Sequence, residues 1–283
     1  MKRRRYRRWL RHSFRDGCAL VMVYAIVAYI LLPVIWEHYD YRPSLLEAPK
    51  TTENRYGFPG DPLNIALIGS QREVVRSLLL AGWHPADPLS VRTSISIAAS
   101  ILFHRAYPTA PVSNLYLWGR RQDIAFEEPI GKTPSSRHHV RLWESSYAGG
   151  DGRPLWIGAA TLDRSIGFDR YTGQLTHHID GDVDGERTSI IKNLIDAKQL
   201  TQMYQVSGVG PTITGRNAEG DWYYTDGELT VGVIASENST DHPPVKILPN
   251  PIAIDVKNQG WMWIRDILRQ TQLTPGEQKV GRS

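Results

Sequence analysis

LNIALIGSQREVVRSLLLAG, residues 63–82, decides the fold class that the sequence predicts. Its first six residues, 63–68, form an apolar run between a proline and a glycine, which is typical of a buried strand. Ser70 and Glu73 then have the spacing of a capping box, which marks the start of a helix. Apolar residues follow at helical spacing up to Gly82, a common helix stop. The stretch therefore predicts a strand, a turn and a helix.

Strand and helix patterns continue to alternate after this stretch. Residues 92–103 are ambiguous and favour a helix, and clear helical spacing recurs at residues 186–200 and 258–272. Short alternating or apolar runs, separated by glycine and proline, predict strands at residues 114–118, 123–126, 138–143, 155–162, 175–179, 201–209, 220–225 and 228–234. This interleaving predicts an α+β fold, with a mixed, mostly antiparallel sheet and packed helices.

The region before the domain predicts a membrane helix. Residues 17–36 are uncharged, and a helix of this length spans roughly 30 Å, the thickness of the hydrocarbon layer. Eight basic residues precede it within residues 1–16, so the positive-inside rule predicts a cytoplasmic N-terminus and a domain across the inner membrane. A cleaved signal peptide is the alternative, but the run ends in Pro-Val-Ile-Trp-Glu-His, which lacks the small residues of a cleavage site.

The charge distribution argues against nucleic-acid binding. The formal net charge is +4, but the basic tail accounts for eight of the 33 Lys and Arg residues. Residues 17–283 contain the other 25 Lys and Arg residues and 28 of the 29 Asp and Glu residues, so this part of the chain is slightly acidic. Cys18 is the single cysteine and lies in the apolar run, which leaves the body without a disulfide or a cysteine-based zinc site.

These patterns divide the chain into five predicted parts. The order is a basic cytoplasmic tail, a transmembrane helix, a spacer, a soluble domain, and a linker with a C-terminal helix. The predicted limits are residues 1–16, 17–36, 37–60, 61–235 and 236–283.

One candidate anion site lies on the predicted strand RHHVRLW, residues 137–143. Side chains alternate along a strand, so Arg137, His139 and Arg141 share one face. Arginine binds phosphate and carboxylate groups through two parallel hydrogen bonds. Arg137 and Arg141 are therefore candidate ligands for an anionic small molecule or lipid, and a solvated strand face is the alternative.

One candidate metal site combines two segments. His178 and Asp180 share a face at the end of a strand, and His139 is expected on a neighbouring strand. Asp182 and Asp184 add carboxylates in the same acidic turn. Two imidazoles and a carboxylate suffice for a divalent metal, which activates water for hydrolysis. The alternative is structural, because acidic turns commonly cap the helix that follows.

Several segments resemble the LssY C-terminal domain family over residues 60–235. The matching segments are NIALIGS at 64–70, LAGW at 80–83, LYLWGRRQDIAFE at 115–127, RHHVRLW at 137–143, WIGAATLDR at 156–164 and THHID at 176–180. The resemblance implies a bacterial, membrane-associated protein, and it carries no catalytic role. Some members place the domain after multi-pass segments of the DedA or phosphatidic-acid-phosphatase type. This chain differs in having one anchor helix, and it has Gly181 where proline is expected.

Two functions are consistent with these patterns. The first is a membrane-anchored envelope protein whose periplasmic domain binds a ligand or an envelope protein partner. The second is a metal-assisted hydrolase or phosphoesterase acting at the membrane surface. The sequence leaves open whether the chain is an enzyme.

Overall fold

A computed structural model describes residues 2–32, 34, 45, 48–86, 114–130, 136–168, 175–237 and 243–272. The chain forms two compact units, Met1–Pro43 and Ser44–Ser283. The helix predicted at residues 92–103 lies outside the described residues. The predicted limits of the domain at residues 61 and 235 stay predictions.

The first unit contains one long helix. Helix α1 spans Lys2–Ile26 and continues as a π-helical turn over Val27–Leu31. Its window Phe14–Leu31 has a mean hydropathy of 1.7 and none of its residues is buried. Within the described residues this is the one helix that is long and apolar enough to cross a membrane. The predicted N-terminal apolar helix is thereby confirmed.

The second unit is built on a nine-stranded sheet. The helices of this unit are α2 Gln71–Leu80, α3 Val183–Asp196 and α4 Ile252–Gln272. The strands are β1 Thr51–Glu53, β2 Pro59–Pro62, β3 Ile65–Ile68, β4 His84–Pro85, β5 Tyr116–Leu117, β6 Arg120–Arg121, β7 Ile124–Pro129, β8 Arg137–Ala148, β9 Pro154–Phe168, β10 Leu175–Ile179, β11 Leu200–Val206, β12 Ile213–Arg216, β13 Trp222–Thr225, β14 Leu229–Ile234 and β15 Lys246–Ile247.

The large sheet has the strand order β15-β11-β14-β3-β9-β8-β7-β4, and β10 pairs with the far half of β9. The pairs β11–β15 and β14–β3 are parallel, and the other pairs of this sheet are antiparallel. The predicted α+β fold with a mixed, mostly antiparallel sheet is confirmed.

Helices α2 and α3 cover one face of the large sheet. The start of α2 is fixed by the predicted capping box, in which the Ser70 hydroxyl accepts from the Glu73 amide and the Glu73 carboxylate accepts from the Ser70 amide. Leu78 of α2 and Leu194 of α3 meet Phe126, Val140, Leu142 and Trp156 of the sheet in one buried cluster. Burying a side chain of this size contributes about 1.5–3 kcal/mol.

The opposite face of the sheet changes character along its strands. At one end Trp143, Ile157 and Ile68 pack with Leu115 and with Leu117, which belongs to a second, four-stranded sheet of order β2-β1-β5-β6. At the other end the strands bury charged and polar side chains, which form the candidate site described below.

Helix α4 packs beside α3 and the β13–β14 connection. It begins at Ile252, earlier than the predicted start at residue 258, and strand β15 lies within the segment predicted to be a linker. Ile254 and Trp261 are its buried apolar residues. The Arg265 guanidinium donates two hydrogen bonds of 2.8 Å to Asp182, and Lys257 pairs with Glu228.

Candidate functional site

Three adjacent strands bury a row of polar side chains on one face. In β8, Arg137, His139 and Arg141 alternate on this face, and the antiparallel register places Thr161 of β9 opposite His139. The same register places Glu127 of β7 opposite His139 on its other side. All of these side chains are buried. Burying several charged side chains close together costs free energy unless each one is paired. The partners of these side chains therefore show whether they are structural or free to bind a ligand.

The two candidate anion-binding arginines pair with carboxylates of the chain. Arg137 donates a hydrogen bond of 3.0 Å to Glu127, and Arg141 donates one of 3.1 Å to Asp61 of β2. Burial raises the pKa of Asp61, an effect that Arg141 opposes. Both guanidinium groups therefore have an internal counterion.

His139 lies beside Asp163 of β9. Its Nε2 is 3.0 Å from Asp163 Oδ2, and Nδ1 of His177 in β10 is 3.1 Å from the same oxygen. Neither ring nitrogen is aligned for a hydrogen bond to that oxygen. Burial by itself raises the pKa of Asp163, but the two histidines and Arg141 hold it well below its usual range. Asp163 therefore carries a negative charge between two imidazoles.

Glu219 completes the acidic side of this group. It is partly buried and follows Asn217, which contributes to the surroundings of Asp61. Burial and the charge of Asp61 raise the pKa of Glu219 to about 7. A carboxyl group with such a pKa exchanges its proton near neutral pH. We call Asp61, His139, Arg141, Thr161, Asp163, His177 and Glu219 together the Asp163 site.

The Asp163 site has hydrogen-bonding capacity that the described residues leave unused. His139 Nδ1, Thr161 Oγ1 and Arg141 Nε are all buried, and none has a hydrogen-bond partner within the described part of the chain. Buried polar atoms are nearly always satisfied in folded proteins. Three unsatisfied atoms on neighbouring residues therefore favour a ligand or ordered water at this position. His177 and Glu219 are partly exposed and connect the site to solvent.

The other candidate metal ligands point to separate partners. His178 Nδ1 is 2.6 Å from Asp221 Oδ1, and Asp180 is 2.9 Å from the Arg164 guanidinium. The other oxygen of Asp180 accepts a hydrogen bond of 2.8 Å from the Asp182 amide. The structure thus brings His139 together with Asp163 and His177, and it gives His178 and Asp180 different contacts.

A β-bulge explains why His177, and not His178, lies next to Asp163. The β9–β10 register pairs His178 with Ser165 but pairs Ile179 with Asp163, so one extra residue stands in β9. Beyond such a bulge the alternation of faces is reversed. If the β9–β10 pairing continued without the bulge from Leu175 and Phe168, His178 would lie on the face of Asp163 instead.

Asp182 and Asp184 have structural contacts. Asp182 is the N-cap of α3 and accepts from the Gly185 amide at 3.1 Å, besides binding Arg265 of α4. Asp184 is buried and accepts hydrogen bonds from Thr225 Oγ1 at 2.7 Å and from Trp261 Nε1 at 2.8 Å. The acidic turn therefore caps α3 and holds α4, which is the structural alternative that the sequence left open.

No group of three or more His, Cys, Asp or Glu side chains is arranged to hold a metal ion among the described residues. The role of His139, His178, Asp180, Asp182 and Asp184 as metal ligands stays a prediction. The members of the Asp163 site that sequence reasoning missed are Asp61, Thr161, Asp163, His177 and Glu219. No local signal marks Asp163, because the β8–β9 pairing shifts register between Glu144 and Ala148 and a regular hairpin from the Ala148–Pro154 pair would not place Asp163 opposite Arg137.

One apolar N-terminal helix followed by an α+β domain is an architecture consistent with membrane anchoring. The chain belongs to the LssY C-terminus family, whose family model matches residues 45–229. The resemblance noted in the sequence is thereby confirmed. No curated protein and no solved structure matches the chain.

Proposed function

We propose that this chain is a single-pass inner-membrane protein whose domain lies in the periplasm and binds a neutral, hydroxyl-rich ligand at the Asp163 site. The observation that carries the proposal is the set of three buried, unsatisfied polar atoms on His139, Arg141 and Thr161. Family membership and the apolar helix support the membrane attachment.

The orientation rests on the eight basic residues that precede the apolar helix. Lys and Arg residues that flank a membrane helix are retained on the cytoplasmic side, so the domain after the helix would lie on the opposite side of the membrane. The test is a pair of C-terminal fusions of the full chain in a bacterial host. Active alkaline phosphatase with dark green fluorescent protein supports the proposal, and the reverse result overturns it.

The ligand chemistry follows from the donors and acceptors of the site. Arg141 Nε can only donate, the Thr161 hydroxyl can donate and accept, and His139 Nδ1 donates or accepts according to the tautomer of the ring. A hydroxyl group complements all three. An anion fits less well, because Asp61 and Asp163 repel it and the arginines already have carboxylate partners. Saccharides carry such neutral hydroxyl groups and are the ligand class that we propose.

The binding test uses full-length protein in detergent micelles and a panel of mono- and disaccharides, with isothermal titration calorimetry as the readout. We expect at least one saccharide to bind, and we expect Thr161→Val to weaken it about 3- to 10-fold, the equivalent of one neutral hydrogen bond. Thr52→Val is the matched control, because the buried Thr52 hydroxyl donates internally to the Asp61 carbonyl at 3.0 Å.

Two outcomes overturn the ligand proposal. One is a wild-type protein that binds no member of the panel. The other is a Thr161→Val variant that binds as tightly as wild type, which would mean that the ligand lies elsewhere.

A metal-assisted hydrolase is the second candidate. It is favoured by the imidazole nitrogens of His139 and His177, which approach one oxygen of Asp163 without hydrogen-bond alignment. Imidazole and carboxylate are ligands that divalent metals accept. This candidate ranks second because the residues with described positions form no three-ligand group. Elemental analysis of the protein purified with zinc or manganese tests it, since bound metal that His177→Ala removes would favour the hydrolase.

A further inference from the structure

Helix α4 has apolar residues on two faces. One face carries Ile254 and Trp261, which are buried against the domain. The other face carries Ile252, Val256, Gly260, Trp263 and Ile267, which recur at spacings of three and four residues and share one side of the helix. We call these five residues the outer stripe of α4. A soluble helix normally has one apolar face, so the outer stripe needs an explanation.

The outer stripe is strongly exposed. The exposed fraction is 84% for Ile252, 63% for Val256, 70% for Trp263 and 43% for Ile267. Together these side chains expose on the order of 500 Å² of apolar surface, which is in the range of the largest patches on monomeric proteins. The stripe also lies beyond residue 229, where the match to the family model ends. It is therefore additional to the family domain.

Gly260 at the centre of the stripe has no close packing neighbour among the described residues. A Cβ atom built on Gly260 would meet no other atom within 4 Å. Glycine inside an exposed helix is unfavourable relative to alanine, because it loses more backbone freedom on folding. Because Gly260 has no side chain, it leaves a notch in the apolar face of α4. Such a notch allows a second helix to approach closely. The notch lies three residues from Trp263, the largest side chain of the stripe.

The stripe is complementary to itself in the antiparallel direction. When two copies of α4 cross between residues 260 and 263, Trp263 of each copy lies over Gly260 of the other. The same arrangement places Val256 of each copy against Ile267 of the other. This is the contact pattern of a two-fold interface, in which one patch contacts its own equivalent.

We propose that α4 of one copy packs antiparallel against α4 of a second copy and makes the protein a two-fold symmetric dimer. The two outer stripes together bury about 1,000 Å², which is the lower limit for a specific interface. Attachment to a common membrane raises the effective concentration of the two copies, so an interface of this size suffices. The inference does not depend on the ligand of the Asp163 site.

The test measures the molar mass of full-length protein in detergent micelles, by size-exclusion chromatography with light scattering corrected for bound detergent. We expect wild type to have the mass of two chains. Gly260→Leu fills the notch, so we expect it to have the mass of one chain. Because a Cβ atom at this position meets no described atom within 4 Å, and leucine is a better helix former than glycine, the melting temperature should not fall.

A second variant tests the same contact without altering the notch. Trp263→Ala removes the exposed side chain that lies over Gly260 of the other copy, so we also expect this variant to have the mass of one chain. Wild type with the mass of one chain at all concentrations overturns the proposal, and so does a Gly260→Leu variant that remains dimeric. A monomer whose domain binds vesicles of bacterial phospholipid through Trp263 would identify a lipid surface as the occupant, which also overturns it.

Discussion

Replacing Asp184 with alanine should strongly destabilise the domain and release α4. The Asp184 carboxylate is buried and accepts three hydrogen bonds, from Thr225 Oγ1 at 2.7 Å, from the Asp226 amide at 2.9 Å and from Trp261 Nε1 at 2.8 Å. The Arg187 guanidinium lies 3.4 Å from it as well. Alanine can accept none of these hydrogen bonds.

The expected loss is about 3–5 kcal/mol, the range observed when one member of a buried charged network is removed. Trp261→Phe is the graded comparison, since it keeps a ring in place and removes one donor to a charged acceptor. Its expected cost is about 1.5–3 kcal/mol. The ratio of the loss for Trp261→Phe to the loss for Asp184→Ala shows what share of the stabilisation by Asp184 comes from its contact with α4.

The assay is urea unfolding of the full-length protein in detergent micelles, followed by circular dichroism. A loss below about 1 kcal/mol for Asp184→Ala would refute the reasoning, because substitutions at exposed positions without specific contacts change the free energy of unfolding by amounts of that order. Chelation with EDTA separates the structural role from metal binding at Asp184. We expect EDTA to leave the unfolding of wild type unchanged, since the Asp184 oxygens already accept hydrogen bonds.

The remaining predictions concern the Asp163 site and α2. Thr161→Val should leave the free energy of unfolding unchanged or raise it by about 1 kcal/mol, because it removes a buried hydroxyl without a described partner. Thr52→Val should lower the free energy of unfolding by about 1 kcal/mol, because it removes a hydroxyl that donates a hydrogen bond. Equal losses for the two variants in urea unfolding would contradict this prediction. The Glu219 pKa of about 7 in the folded state lies above the ordinary value of 4.5. The folded state therefore holds a proton that the unfolded state loses. The stability from Glu219 is complete below pH 4.5 and is lost as pH rises through 7, by at most roughly 3 kcal/mol. The difference between wild type and Glu219→Gln in unfolding from pH 4 to 8 measures this loss, and a difference that does not change with pH would contradict it. Ser70→Ala removes the cap of α2 and should cost about 1 kcal/mol in the same assay; no measurable change would show that the capping box is not needed in the folded domain.

Local signals in the sequence predict much of the fold. The capping box at Ser70 and Glu73 predicts α2, because both of its hydrogen bonds form within four residues. Alternating residues in β8 correctly group Arg137, His139 and Arg141 on one face. These features depend on neighbouring residues, so one sequence suffices to find them.

The candidate site could be predicted only in part, because its members come from distant segments. Asp61 precedes the first buried strand and Glu219 follows β12, and no local pattern joins either of them to Arg141. The choice between His177 and His178 depends on one bulge in β9, which a period-two pattern does not reveal. Asp182 and Asp184 look like ligands in sequence because their partners on α4 lie about 80 residues further along the chain.

The paired histidines of β10 have a consequence for evolution of the Asp163 site. Deleting the extra residue of β9 would move β10 along its neighbour by one position and exchange which residue faces the carboxylate. Because positions 177 and 178 are both histidine, an imidazole would stand beside Asp163 before and after the change. The doublet therefore makes the site tolerant of a single-residue insertion or deletion at the place where the strand pairing is least regular.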